Sequence, residues 1–197
     1  MINGEELVKK AREVVEKILD KKEIEISEEF KRKYSKKQGV FTTILTYPEK
    51  ELRGCIGFPY PIYPLWKALI LSAKAAAFED PRFPPLRKEE LEKVIFEVTV
   101  LSEPRKVEYN NPKELLGKIK VGRHGLIVKY HIFQGLLLPQ VPVEYGWDAF
   151  EFISQTCLKA GLPKDFWLRE KVDFFVFEGE IYEEEKPRGR VIKKKII

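Results

Sequence analysis

Two stretches of this chain carry the same order of secondary-structure signals: strand, strand, helix, proline-bearing connector, strand. The first runs from Val40 to Leu101 and the second from Leu126 to Tyr182. In the first, Val40–Thr46 is β-branched and aromatic, and Leu52–Phe58 follows across Tyr47-Pro48-Glu49-Lys50, a pattern that predicts a hairpin. A helix near Pro64–Phe78 comes next, apolar almost all round and therefore expected to be buried. It ends before Pro81, and Pro81-Arg82-Phe83-Pro84-Pro85 stiffens the way to a short helix at Lys88–Lys93 and a strand at Val94–Leu101. In the second stretch, Gly125–Phe133 and Gly135–Leu138 read as strands, Asp148 caps a helix carrying Phe150, Ile153 and Cys157, and Val172–Tyr182 reads as the last strand. Matching order at nearly constant offset predicts an α+β fold in which two similar halves, 40–101 and 126–182, join into one sheet system.

The flanks complete a single domain of two lobes spanning 1–197. Residues 1–39 read as a helical cover: Leu7, Ala11, Val14, Val15 and Ile18 lie on one face of a helix entered through an Asn3-x-x-Glu6 capping box. Asn111-Pro112-Lys113-Glu114 is a second strong helix entry, with Asn as cap and Pro at the first helical position. Residues 183–197 read as a basic tail. The formal charge of +5 is a property of that tail, because residues 186–197 hold six cations and no acid, and without them 30 basic residues face 31 acidic ones. Sequence-blind, weak nucleic-acid binding is therefore expected through the tail, while Lys31, Arg32, Lys33, Lys36 and Lys37 form the one dense cluster elsewhere. The aromatic-and-basic signature of a known nucleic-acid module is missing. Charged residues make up 34% of the chain and Gln, Asn, Cys and Met are scarce, a heat-adapted profile. With no long apolar run and no leader layout at the N-terminus, a cytoplasmic location without membrane contact is expected.

Chemistry-bearing motifs are few. Glycine-rich phosphate loops, His-Glu-x-x-His and Cys-x-x-Cys are absent, and His124 with His131 cannot build a histidine-rich metal site, so no metal or cofactor is expected. Cys55 and Cys157 fit no redox spacing, though heat-adapted organisms do bridge such distant thiols. The densest unusual segment is Leu52-Arg53-Gly54-Cys55-Ile56-Gly57. On a strand, Arg53, Cys55 and Gly57 share a face, and a guanidinium beside a thiol lowers its pKa and raises its thiolate fraction. His124, in Gly122-Arg123-His124-Gly125, sits where a loop-end side chain reaches a cleft. Asp80 and Arg82 flank Pro81 as an ion pair pinning the connector, and the prolyl loop from Leu138 through Gln140 to Glu144 has the placement of a ligand-binding loop. Cys157 falls on an apolar helix stripe, and His131 inside a strand.

Taken in order, Leu52-Arg53-Gly54-Cys55-Ile56-Gly57, Asp80-Pro81-Arg82-Phe83-Pro84-Pro85, His124-Gly125, Leu138-Pro139-Gln140-Val141 and Gly146-Trp147-Asp148 resemble the AMMECR domain family over roughly Val40–Tyr182. The resemblance implies an α+β fold of two related β-β-β-α-α halves forming one barrel-like, mostly antiparallel sheet with a cleft near the shared motifs. It implies no assigned catalytic residue, and it places Arg53, Cys55, Asp80, Arg82, His124, Gln140 and Glu144 at motif positions, with Gly54 and Gly57 completing the cleft set. Roles in transcription, replication, repair or translation have been suggested for the family, and some relatives are associated with a Memo-type or radical-enzyme partner. Two readings of function result. One is a binding or regulatory domain whose cleft holds a peptide, nucleotide or nucleic-acid segment from an unidentified protein or small-molecule partner. The other is a cysteine-dependent enzyme with Cys55 as nucleophile, Arg53 lowering its pKa and His124 as base.

Overall fold

A computed structural model of the chain describes residues 2–194. These divide into two compact units, residues 2–101 with 180–194 and residues 102–179.

In the first unit, α1 (Gly4–Leu19) starts at Asn3, whose side chain accepts from the Glu6 N–H at 3.2 Å, and buries Leu7, Val8, Ala11, Val14 and Val15. Helix α2 (Glu28–Lys33) follows a Ser27 cap. Strands β1 (Val40–Thr46) and β2 (Leu52–Phe58) form the expected hairpin, and β3 (Val94–Leu101) pairs antiparallel with the free side of β1. Between them lie α3 (Leu65–Phe78) and a 3-10 helix at Lys88–Lys93. Alanines 73, 76 and 77 on α3 let its backbone come down on the hairpin, and its Ser72 hydroxyl meets Thr42 of β1 at 2.8 Å. The core is made by α1, α3 and the inward residues Val40, Ile44, Phe96, Val98 and Val100.

The second unit holds β4 (Arg105–Lys106), α4 (Pro112–Lys118), β5 (Gly125–Tyr130), β6 (Phe133–Leu137), α5 (Val141–Glu144), α6 (Ala149–Lys159), α7 (Phe166–Arg169) and β7 (Asp173–Phe177). Its core packs Leu126, Val128, Phe152, Ile153, Cys157, Trp167 and Phe174. The remaining strands, β8 (Gly179–Glu184) and β9 (Val191–Lys194), belong to the sheet of the first unit.

Strand order is β2-β1-β3-β8-β9 in one sheet and β4-β7-β5-β6 in the other. Both sheets are open, so the expected barrel-like closure does not form. The cause lies in the stretch read as one strand over Val172–Tyr182: it breaks at Glu178 and places β7 in one sheet and β8 in the other. Each unit nevertheless centres a hairpin's first strand between the second strand and a later one, β2-β1-β3 and β6-β5-β7, all antiparallel. In both, a glycine of the second strand meets the C-terminal end of a later helix, α3 in the first unit and α6 in the second. A Cβ on Gly54 would lie 2.1 Å from the Ala76 oxygen, and one on Gly135 would lie 2.5 Å from the Ala160 nitrogen.

Two further expectations change. His131 is not inside a strand: with φ of +50° it makes the tight turn between β5 and β6, a left-handed position that usually announces itself as Asn or Gly. The basic tail is not free over its described part, because β9 pairs antiparallel with β8 and the intervening segment turns back. Among the described residues, no helix is long and apolar enough to cross a membrane.

Candidate functional site

Strand β2 alternates its side chains, sending Gly54 toward α3 and Arg53, Cys55 and Gly57 to the other face. It is also an edge strand, and at Cys55 its outward backbone groups meet side chains in place of a further strand. The Cys55 N–H donates to Asp80 Oδ2 at 2.9 Å, and its carbonyl accepts from Arg82 Nη2 at 3.1 Å. Asp80 and Arg82 are locked to each other. Asp80 Oδ1 accepts from the Arg82 backbone N–H at 3.1 Å and from Nε at 3.0 Å, while Oδ2 accepts from Nη2 at 2.8 Å. The local sequence dictates this geometry: the Phe83 N–H donates to the Asp80 carbonyl at 3.1 Å, closing a β-turn with Asp first and Pro81 second. Asp80 is buried, and its hydrogen bonds from Arg82, followed by those from the Cys55 and Arg82 backbone, hold its carboxyl far below the usual range. The two most specific sequence motifs thus meet as an edge strand and its clamp.

Arg53 does not serve the thiol. Its Nε and Nη2 reach the two oxygens of Glu90 at 2.8 and 3.2 Å, a fork that engages the guanidinium, and Glu90 also caps the 3-10 helix through the Arg87 N–H. The Phe83 ring sits by two guanidinium groups, 6.0 Å from that of Arg53 and 5.6 Å from that of Arg82. Cys55 Sγ accepts from the Thr43 hydroxyl at 3.3 Å. Burial pushes the thiol pKa up, and the Thr43 bond and the Arg82 charge do not reverse this, with Glu97 and Asp80 adding to the rise. The expected lowering by Arg53 is therefore corrected: the neighbouring cation is committed to Glu90, and burial raises the thiol's pKa.

Further across the same face lies a polar row that sequence reasoning missed. Thr43 is in register with Glu97, whose carboxylate accepts from Lys194 Nζ at 3.0 Å; Lys194 also donates to Glu183 at 2.8 Å, and Lys50 to the second Glu183 oxygen. Burial raises the Glu97 carboxyl. For Glu183 burial acts the same way but is outweighed by hydrogen bonds from Lys194 and Lys50, which hold it below the usual range. The available signal was the alternation of Glu97 and Thr99 within an otherwise apolar strand.

The other predicted site residues lie in the second unit, so Arg53, Gly54, Cys55, Gly57, Asp80 and Arg82 share one unit while His124, Gln140 and Glu144 share the other. His124 Nδ1 accepts from the Lys120 N–H at 3.1 Å, which fixes a turn. Burial lowers its pKa, with Arg123, Arg105 and Lys120 acting in the same direction against Glu178. Gln140 precedes α5 and accepts the Glu144 N–H at 3.0 Å, leaving the Glu144 side chain exposed. Cys157 is fully buried and its pKa is pushed up to about 12 by burial. Both cysteines are free. Among the described residues, no group of three or more His, Cys, Asp or Glu side chains is arranged to hold a metal ion.

Comparison with known proteins matches residues 8–182 to a family model described as AMMECR1. Protein NEQ441 of Nanoarchaeum equitans is 60% identical over 179 residues, covering 91% of this chain and 99% of its own. Protein MJ0810 of Methanocaldococcus jannaschii is 53% identical over 190 residues, covering 96% and 94%. The crystal structure of protein PH0010 from Pyrococcus horikoshii superposes with a TM-score of 0.81 at 50% identity, covering 98% of this chain and 96% of that one. These relatives are archaeal and thermophile-like, as the charge-rich composition suggested.

Proposed function

This chain belongs to the AMMECR1 family, and we propose that it acts as a binding or regulatory domain, with the surface formed by Arg82, Phe83 and Arg53 beside Cys55 as its contact. The observation that carries this reading is the state of the Cys55 thiol. It is half-buried, it accepts a hydrogen bond from Thr43, its pKa is raised by burial, and the guanidinium that would activate it is held by Glu90. A nucleophilic cysteine needs the opposite surroundings. His124, buried with its Nδ1 already accepting a hydrogen bond, supports a structural role better than that of a general base. The exposed half of Arg82 and the Phe83 ring offer a cation beside an aromatic face, which suits a partner carrying a carboxylate or phosphate. The matching strand orders of the two units and their matching glycines support a reading of the chain as an internal duplication.

The test is intact-mass analysis after incubation of wild type and Cys55→Ser with native lysate. The binding reading expects no covalent adduct on Cys55 and the same retained molecules in both. An acyl or thiol adduct on Cys55 that is lost in the variant would overturn it in favour of a cysteine-dependent enzyme.

A further inference from the structure

Most of the described cations of the tail are paired with carboxylates and are not free for a polyanion. In the segment 183–194, Arg188 pairs with Glu16 and Glu92, Arg190 with Glu185, Lys193 with Glu180, and Lys194 with Glu97 and Glu183. Those four cations are ion-paired where they stand, Lys186 is exposed with no carboxylate partner among the described residues, and Lys195 lies outside the described residues.

A different group is left over. Residues 34–37 run beside the start of α3: Trp66 N–H donates to the Tyr34 carbonyl at 3.1 Å, Leu65 N–H to the Lys36 carbonyl at 2.9 Å, and Lys37 bridges Pro64. This contact brings the basic run of α2 against the aromatic loop Phe58-Pro59-Tyr60-Pro61-Ile62-Tyr63-Pro64 and the first turn of α3. Arg32, Lys37 and Lys67 are exposed there, and among the described residues none of them is paired with a carboxylate. Two ammonium groups rest on half-exposed rings, Lys31 5.7 Å from Trp66 and Lys67 5.0 Å from Tyr63. The acids of α2, Glu28 and Glu29, stand in its first turn, and Glu28 is taken by Lys31. Three prolines hold the aromatic loop, so its rings are presented with little ordering left to do.

We propose that this surface binds a single-stranded polynucleotide. Arg32, Lys37 and Lys67 contact successive phosphates, and bases stack on Trp66 and Tyr63. On binding, Lys67 moves from the Tyr63 face to a phosphate oxygen, Lys31 swings off Trp66 toward its partner Glu28, and bases take the vacated ring faces. Charge and π-surface alternate here over a few residues' span, which is the arrangement that backbone-tracking, sequence-tolerant recognition requires. The separate elements supply no such pattern in sequence; the contact of residues 34–37 with Pro64–Trp66 creates it. This inference uses none of the residues around Cys55, so its failure leaves the reading of that surface untouched.

The experiment is fluorescence anisotropy of labelled twelve-nucleotide oligothymidylate with the full chain, across a salt series. Three phosphate contacts on a single strand give a log-affinity against log-salt slope of about −2. The triple reversal Arg32→Glu, Lys37→Glu, Lys67→Glu, all at exposed positions, is expected to weaken binding at least tenfold with an unchanged melting curve. Trp66→Leu is expected to weaken it about tenfold through lost stacking, and Trp66 emission should fall on binding in the wild type. Lys186→Glu is expected to leave affinity within twofold. Unchanged affinity in the triple variant would overturn the proposal. So would equal binding of an oligoglutamate of the same charge, which would make this a surface for acidic peptides, or preference for duplex over single strand.

Discussion

Replacing Asp80 with Ala tests whether the Asp80–Arg82 pair is what finishes the exposed edge of β2. The carboxylate accepts four hydrogen bonds, one from the Cys55 N–H and three from Arg82. Removing it leaves the Cys55 donor without a partner at a half-buried position, a loss of about 1–3 kcal/mol. Arg82 is 54% exposed and rehydrates, so its ion pair adds only about 1 kcal/mol. The expected destabilisation is about 2–4 kcal/mol, which for a chain of this size lowers Tm by roughly 5–10 °C. Asp80→Asn keeps one acceptor oxygen for Cys55 and should fall between the two. Because the folded carboxyl lies below its ordinary value of 3.8, its contribution is complete above that value and is lost as pH falls through the folded pKa. The gap between wild type and Asp80→Ala, read by urea denaturation, is therefore constant from pH 5 to 8 and narrows only below about pH 4. An Asp80→Ala cost under about 0.5 kcal/mol at pH 7, or a gap that widens in acid, would refute the clamp.

Three other outcomes follow from the same packing. Arg12 is buried, with Nε and Nη2 on the Glu184 carboxylate at 2.7 and 2.6 Å, further bonds to the Leu91 and Val94 carbonyls, and its guanidinium 4.6 Å from the Phe96 ring; Arg12→Ala should cost about 3–5 kcal/mol, and Arg12→Met with Glu184→Leu should recover only part of it in denaturation curves, because the Phe96 N–H loses the Glu184 oxygen it reaches at 2.9 Å. Gly54→Ala drives a Cβ to 2.1 Å from the Ala76 oxygen and should cost about 2–3 kcal/mol by forcing α3 off the hairpin, whereas Gly117→Ala, with nothing within 4 Å, should stabilise or be neutral. His124, whose pKa is lowered by burial, should titrate below 6.5 by NMR; its folded-state contribution is complete above that value and is lost as pH falls through the folded pKa.

Much of the frame was legible because local rules decide it. Asn3, Asn111 and Asp148 cap helices with their own side chains, and the bounds of β1, β2 and β3 follow from β-branched runs and turns. The stretch proposed as a contact surface was legible as unusual, since Arg53, Gly54 and Cys55 sit in the most distinctive hexapeptide of the chain. What those residues do was not, because each answer comes from a distant partner: Glu90 is 37 positions from Arg53, and Asp80 is 25 from Cys55. Segment 183–194 reads as solvated because it is dense in Glu and Lys. It folds as sheet because Arg12 neutralises the buried Glu184 across 172 positions and Lys50 neutralises the buried Glu183 across 133. The break at Glu178 has Gly179 as its one local mark, a residue that reads equally as a bulge within a single strand, so the division into two open sheets escapes a reading by periodicity.

The most direct test of the central claim, that Cys55 belongs to a clamped edge strand and is no activated nucleophile, is the pH dependence of its thiolate. Thiolate absorbance of the Cys157→Ala variant, followed from pH 5 to 11 beside iodoacetamide rates, reports Cys55 alone. An inflection above the ordinary thiol value of 9.0, with alkylation slower than that of a free thiol, is the predicted result. An inflection well below pH 8 with rapid alkylation would contradict it.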